Sequence, residues 1–171
     1  MKRLICLLLC CLTLLSLTGC GAPKTETLDI FAMDTYMSLV AIGDGASDVL
    51  QACSNEINTL EQRLSRTIET SSVAQLNANG IAQLDDDTAA LLQAALQYSA
   101  ETGGTFDVTI APLVELWGIT GDDPRVPAQS EIDALLPLVG SGHVHLEGTA
   151  AALDEGCAID LGGIAKGYAS D

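Results

Sequence analysis

The stretch "LDIFAMDTYMSLVAIGDGASDVLQACSNEINTLEQRL", residues 28–64, carries two hydrophobic periods in immediate succession. Residues 28–42 hold β-branched and aromatic residues in two short runs, which predicts strand, turn-like interruption and strand. An extended second run places Thr35, Met37, Leu39 and Ala41 on one face. "GDGAS" then breaks the strand, and Ser47 or Asp48 is placed to cap a helix. From there Val49, Leu50, Cys53, Ile57, Leu60 and Leu64 recur at three- and four-residue steps, predicting an amphipathic helix over 48–64. Two strands feeding one helix is not the start of a βαβ repeat.

The rest of the chain keeps that mixture. "SRTIETSSVAQLNANG" reads as a loop with one helical turn around Val73 to Leu76. A second helix is expected after Asp85, Asp86 and Asp87, through "TAALLQAALQYSAET", with Gly103 and Gly104 stopping it. Carboxylates favour a helix N-terminus, so capping and solvation account for the acidic cluster without a metal. "TFDVTIAPLVELWGI" leads into a loop with two prolines, after which Ser130 is expected to cap a short helix ending near Leu138. Trp117 follows an apolar run and reads as core. "HVHLEG", "AALDE" and "CAID" read as three short strands separated by turns. His143 and His145, two apart on such a strand, share a face and lack a third metal ligand in view, so an exposed strand face is the expectation. Strands and helices without a regular βαβ order make the class α+β, with mainly antiparallel strands.

The N-terminus needs separate treatment. Lys2 and Arg3 precede an apolar run from Leu4 to Leu17, too short for an ordinary membrane span, and residues 1–19 read as an export signal. "LTGC" at 17–20 resembles the lipobox of bacterial lipoproteins, which implies diacylated Cys20 as the mature N-terminus. Residues 20–27 then form a tether. The implied location is the extracytoplasmic face of a bacterial cell membrane, held by lipid. The 171-residue chain has a net charge of −16 and 48% hydrophobic residues; the signal takes two basic and no acidic residues with it, leaving −18. Nucleic acid is excluded as a partner by that balance. Cys53 and Cys157 are expected as small buried core residues, with a disulfide between them as the alternative.

Three stretches combine glycine, a hydroxyl or carboxylate, and a strand-to-loop transition: "FAMDTYMSL" (31–39), "TGGTFDVTIAPLVELWG" (102–118) and "DLGGIAKGYASD" (160–171). In the last, Gly162 and Gly163 let backbone approach a ligand closely. Exposed amides at a helix start beside Lys166 suit a phosphate or pyrophosphate.

In this order the three resemble the FAD:protein FMN transferase family, the ApbE or thiamine-biosynthesis lipoprotein family. "GGTFDVTIAPLVELWG" is close to its signature leading into Pro-Leu-Val and Leu-Trp-Gly, and "IDLGGIAKGYASD" is nearly its Asp-Leu-Gly-Gly-Ile-Ala-Lys-Gly-Tyr segment. "AMDTYMSL" and "LSRTIETSSVAQLN" are similar to its first strand and its Ser-Arg loop. The resemblance runs from about Phe31 to Asp171. It implies an ApbE-type α+β fold, with 28–171 as the N-terminal part of a flavin transferase domain whose C-terminal half lies beyond Asp171.

By this resemblance the activity is Mg2+-dependent transfer of FMN from FAD to a threonine hydroxyl of a target flavoprotein. Met33 would line the flavin pocket, and Thr105, Phe106 and Asp107 would contact FAD. Thr67 falls at a position often aromatic in the family. Asp160 would hydrogen-bond the cofactor, Lys166 would sit near its phosphates, and the Gly163 carbonyl would be one ligand of Mg2+. The remaining metal ligands and the catalytic group are expected beyond Asp171. The alternatives are a flavin-binding lipoprotein without chemistry, and an inactive remnant.

Overall fold

The computed structural model of the protein describes residues 23–119, 121 and 123–171. Residues 1–19, read above as an export signal, and Cys20 lie outside the described residues. Among the described residues no helix is long and apolar enough to cross a membrane.

Two strands, β1 (Thr25–Ala32) and β2 (Thr35–Ile42), form a two-stranded sheet. The two residues between them permit only antiparallel pairing. β1 starts at Thr25, so residues 25–27 of the expected tether are strand. Alternation is clean in β2, with Thr35, Met37, Leu39 and Ala41 half-buried and their neighbours exposed. Helix α1 (Ala46–Leu64) starts one residue before Ser47. Its buried stripe runs Ala46, Leu50, Ser54, Ile57, Leu60 and Leu64. Val49 is exposed, and Cys53 is an exposed free thiol where a buried one was expected. The three- and four-residue steps pass through Ser54, one position on, which turns Cys53 out of the stripe. Cys157 is buried, as expected, and is also free.

The chain divides into two compact units. One contains residues 23–30 and 36–54, the body of the hairpin and the first half of α1. The other contains the hairpin tip, 31–35, and everything from Asn55 onward.

In the second unit, α2 (Ser72–Asn79) is capped by Ser71, whose hydroxyl accepts the Ala74 N–H at 2.9 Å, and closes at Gly80. Helix α2 is longer than the single turn foreseen. It runs directly into β3 (Ile81–Gln83), a strand that the sequence did not announce. Helix α3 (Asp86–Glu101) takes Asp85 as its N-cap: the carboxylate accepts Thr88 N–H at 3.0 Å and the Thr88 hydroxyl at 2.7 Å. Burial works against the Asp85 charge, but those hydrogen bonds and Arg63 outweigh it and hold the carboxyl below its ordinary value. Asp85 is therefore the cap, and the helix begins at Asp86, inside the acidic cluster rather than after it; Gly103 and Gly104 follow the helix end with positive φ.

A 3₁₀ turn at Val108–Ile110 leads into α4 (Ala111–Trp117). Trp117 is half-buried rather than core, and its carbonyl accepts the Arg125 N–H at 3.0 Å. Helix α5 (Gln129–Leu135) starts after Ala128, not Ser130. The cap is Glu131, which accepts the Ala128 N–H at 2.8 Å and pairs with Arg125 at 2.7 Å.

Strands β4 (Val144–Glu147) and β5 (Ala150–Leu153) form a hairpin, and β3 pairs with β5 to give the antiparallel order β3-β5-β4. The third expected strand, "CAID", is not one. Its Ile159 exchanges both backbone hydrogen bonds with the side-chain amide of Asn77, each at 2.8 Å. An asparagine occupies the place of a neighbouring strand, which satisfies the buried backbone without a ladder. The chain ends with α6 (Gly162–Tyr168).

The core of this unit is built from Leu60 and Leu64 of α1, Val73 and Leu76 of α2, Leu91, Leu92 and Ala95 of α3, then Val108, Val144, Ala151, Ile159, Leu161 and Ala165; α5 contributes no buried residue. The class is α+β with antiparallel sheets.

Candidate functional site

Met33 and Asp34 form the tip of the β1–β2 hairpin, with φ of 52° and 53°. Positive φ at both positions is the type I′ two-residue hairpin loop, which matches the twist of the flanking strands. Adopting it without glycine costs about 1–2 kcal/mol per residue, with aspartate among the more tolerant types. The tip is held: Met33 N–H donates to Glu61 Oε1 on α1 at 2.8 Å, and the Thr35 hydroxyl donates to the Met33 carbonyl at 3.2 Å. Strained backbone fixed by a neighbouring side chain is a common property of ligand sites.

After α1 the chain turns through Ser65 to Ile68. The Ser65 hydroxyl accepts the N–H groups of Thr67 at 3.2 Å and Ile68 at 3.3 Å, a local turn that orders the loop. Arg66 points inward. Its side chain is only 10% exposed, with Nε 2.9 Å from Asp160 Oδ2 and Nη1 3.4 Å from Glu115 Oε1 of α4. Loss of Asp160 would leave Arg66 its longer contact to Glu115, and loss of Arg66 would leave the Asp160 carboxylate its bond from the Gly162 N–H.

The "DLGG" segment closes the site. Asp160 N–H donates to the Val108 carbonyl at 2.7 Å, and Asp160 Oδ1 accepts the Gly162 N–H at 2.7 Å. A Cβ on Gly162 would lie 2.9 Å from that oxygen, and one on Gly163 would lie 3.1 Å from the Phe106 ring. A side chain at Gly162 would displace the Asp160 carboxylate, and one at Gly163 would press on the Phe106 ring.

These pieces surround a cavity of about 250 Å3, lined by Met33, Asp34, Glu61, Arg66, Thr67, Asp160 and Lys166 among others. The structure thus brings together four of the residues singled out from the sequence: Met33, Thr67, Asp160 and Lys166. Thr105, Phe106, Asp107 and Gly163 do not line it. The Thr105 hydroxyl donates to the Thr102 carbonyl at 2.7 Å. Phe106 is half-buried behind Gly163. Asp107 is occupied internally, accepting Thr109 N–H at 2.9 Å and its hydroxyl at 2.6 Å through one oxygen, and Ser141 N–H at 3.0 Å through the other. Glu61 is a wall residue that no motif contained, and Arg66, the arginine of the Ser-Arg loop, is one to which the motif assigned no role. A cation just after a long helix and an aspartate closing an apolar segment were the available signal.

A larger hollow, about 550 Å3, overlies the outer face of the three-stranded sheet. It is walled largely by alanines and gathers none of the motif residues. His145 lies there, but His143 sits in the 3₁₀ turn before β4, so the two do not share a strand face. Instead His143 Nδ1 and His145 Nε2 approach the two oxygens of Asp154, at 2.9 and 2.8 Å, and these hydrogen bonds hold the Asp154 carboxyl below its ordinary value. Among the described residues no group of three histidine, cysteine or acidic side chains is arranged to hold a metal. The cavity's side chains do not complete a Mg2+ site, which favours six oxygens in octahedral array: Asp34, Glu61 and Asp160 are not grouped to hold an ion, and both Asp160 oxygens are taken by Arg66 and Gly162.

Residues 33–171 match the family described as ApbE family, and the chain belongs to that family. It is similar to the FAD:protein FMN transferase of Vibrio cholerae serotype O1, 28% identical, covering 93% of this chain and 51% of that protein. The corresponding Treponema pallidum protein is 31% identical over 74% of this chain and 39% of its own length. The crystal structure of the ApbE protein from Thermotoga maritima superposes with a TM-score of 0.81 at 32% identity, covering 85% of this chain and 50% of that one. The chain thus spans between 39% and 51% of the length of these relatives.

Proposed function

We propose that this chain supplies the FAD-binding part of an FAD:protein FMN transferase, whose remaining metal ligands and catalytic group lie in the portion of its relatives that it does not cover. The observation that carries this reading is the convergence of Met33, Thr67, Asp160 and Lys166, from three separated motifs, on one cavity. At about 250 Å3 that cavity is smaller than the roughly 300–1,000 Å3 pockets that enclose a drug-sized ligand, so it would hold one portion of FAD and leave the rest to other walls.

In this reading Met33 and the loop at Thr67 contact the flavin portion. Lys166, whose amine has no ion-pair partner among the described residues, meets the phosphates. The reaction breaks the P–O–P bond of FAD, forms a phosphoester between FMN and a threonine hydroxyl of a target flavoprotein, and releases AMP and the hydroxyl proton, so positioning and charge neutralisation dominate catalysis. Mg2+ belongs to the proposal through the family resemblance. The Gly163 carbonyl would be one donor, and no step is assigned to the ion because the described side chains do not complete its shell. The same reading places the protein on the extracytoplasmic face of a bacterial membrane, with residues 1–19 as signal and Cys20 as lipid attachment.

The commitment of Glu61 and Asp160 to internal partners favours a second reading, a flavin-binding lipoprotein without chemistry. Mass spectrometry of a threonine-bearing acceptor peptide, incubated with FAD and Mg2+, separates the two. The chain alone should leave the peptide unmodified, and the chain joined to the uncovered part of the Vibrio cholerae relative should add the mass of FMN. FAD binding with no transfer by the joined protein supports the binding reading. Robust transfer by the chain alone would overturn the assignment of the missing ligands.

A further inference from the structure

We infer that Arg66 is a positioning residue: it fixes the Asp160 carboxylate so that Asp160 clamps the Gly162 amide, and through that clamp sets the start of α6 and the place of Lys166. The alternative, that Arg66 itself meets the ligand's negative charge, is what a cation on a cavity wall would ordinarily suggest.

The hydrogen bonds form one continuous path. Arg66 Nε donates to Asp160 Oδ2 at 2.9 Å, and Asp160 Oδ1 accepts from Gly162 N–H at 2.7 Å, so both carboxylate oxygens are taken and their plane is fixed. Asp160 N–H is itself anchored on the Val108 carbonyl at 2.7 Å. Gly162 is the first residue of α6, and its N–H has no partner within the helix. Lys166 lies four residues on, on the same helix face, so a shift in the first turn moves its amine with it. The path joins a loop to a helix across 94 residues of sequence. Arg66 is matched in charge by two carboxylates, Asp160 and Glu115, and its side chain is 10% exposed. An arginine whose Nε is bonded to Asp160 and whose Nη1 faces Glu115 is better suited to orienting Asp160 than to following a mobile phosphate.

The ligand half of this inference rests on the flavin reading; the Gly162 half does not. Two measurements on the 171-residue chain keep them apart. Amide hydrogen exchange at Gly162, read by NMR, should accelerate about tenfold in Arg66→Met and return most of the way in Arg66→Lys, which retains one donor to Asp160. Unchanged Gly162 exchange in a folded Arg66→Met overturns the inference. FAD affinity, read by flavin fluorescence, should fall about tenfold in Arg66→Met, yet less than twofold when Lys166→Met is already present, because both changes remove the same interaction. Losses that multiply would mean Arg66 touches the ligand independently, and would also overturn it. A wild-type chain that binds no FAD refutes the flavin reading, and Gly162 exchange then decides the role of Arg66 alone.

Discussion

Replacing Asn77 by alanine tests whether a side-chain amide truly stands in for a β-ladder beside the cavity. The Asn77 amide donates to the Ile159 carbonyl and accepts the Ile159 N–H, both at 2.8 Å, and Ile159 is 1% exposed. Alanine would strand two buried backbone groups, each costing about 1–3 kcal/mol. Partial access of water at the half-buried Asn77 puts the sum near 3 kcal/mol. For a chain of this size that lowers Tm by about 6–12 °C, and urea unfolding should show a lower midpoint with an unchanged slope. Asn77→Asp keeps the acceptor for Ile159 N–H but turns a second oxygen toward the Ile159 carbonyl. Its deficit relative to wild type should shrink on acidification, since the protonated acid donates where the carboxylate cannot. The folded state raises that carboxyl's pKa, so destabilisation is present above the folded value and relieved below it. An Asn77→Ala cost under about 0.5 kcal/mol, the level of a surface change, would refute the reasoning.

Other outcomes follow from single features. Leu92 is fully buried in the main core, and Leu92→Ala should cost about 2–5 kcal/mol by urea unfolding. Gly118→Ala would place a Cβ 2.6 Å from the Asp123 carbonyl at φ of 64°; a loss of at least about 1 kcal/mol is expected in thermal unfolding. The Glu131 carboxyl, held at about 2 by the Arg125 guanidinium and then by Ala128 N–H, supports α5 above its ordinary pKa, and that support disappears as pH falls toward 2; an NMR titration should find the low midpoint and lose it in Arg125→Ala. Lys166→Ala in an active, full-length transferase should lower turnover more than FAD affinity, and equal loss of both would restrict Lys166 to supporting the pocket.

The legible parts of this chain were those whose cause is local. The α1 stripe, the Asp85 cap and the strand alternation of 35–42 each depend on spacing within a few residues, and each formed. Cys53 was misplaced because its neighbour Ser54 carries the helix phase inward, and a polar residue on the buried face leaves no hydrophobic signal. "CAID" had the composition of a strand but joins neither edge of the sheet, β3 or β4. The edge of β5 went to Ile81–Gln83, and Asn77 took the backbone of Ile159, a pairing 82 residues apart. The site divided along the same line. Met33, Asp160 and Lys166 were visible as motif residues. Glu61 and Arg66 became wall residues only through contacts 28 and 94 residues away in sequence, and Asp107 proved to be a structural junction for Thr109 and Ser141.

The most direct test of the account is an equilibrium titration of FAD into the chain, followed by flavin fluorescence, with Lys166→Glu beside the wild type. The cavity formed by the Met33 turn, the Arg66–Thr67 loop and the Asp160–Lys166 segment predicts saturable one-to-one binding, weakened at least tenfold when the cation at 166 becomes an acid. No binding by the folded wild type, or equal binding by both proteins, would contradict it.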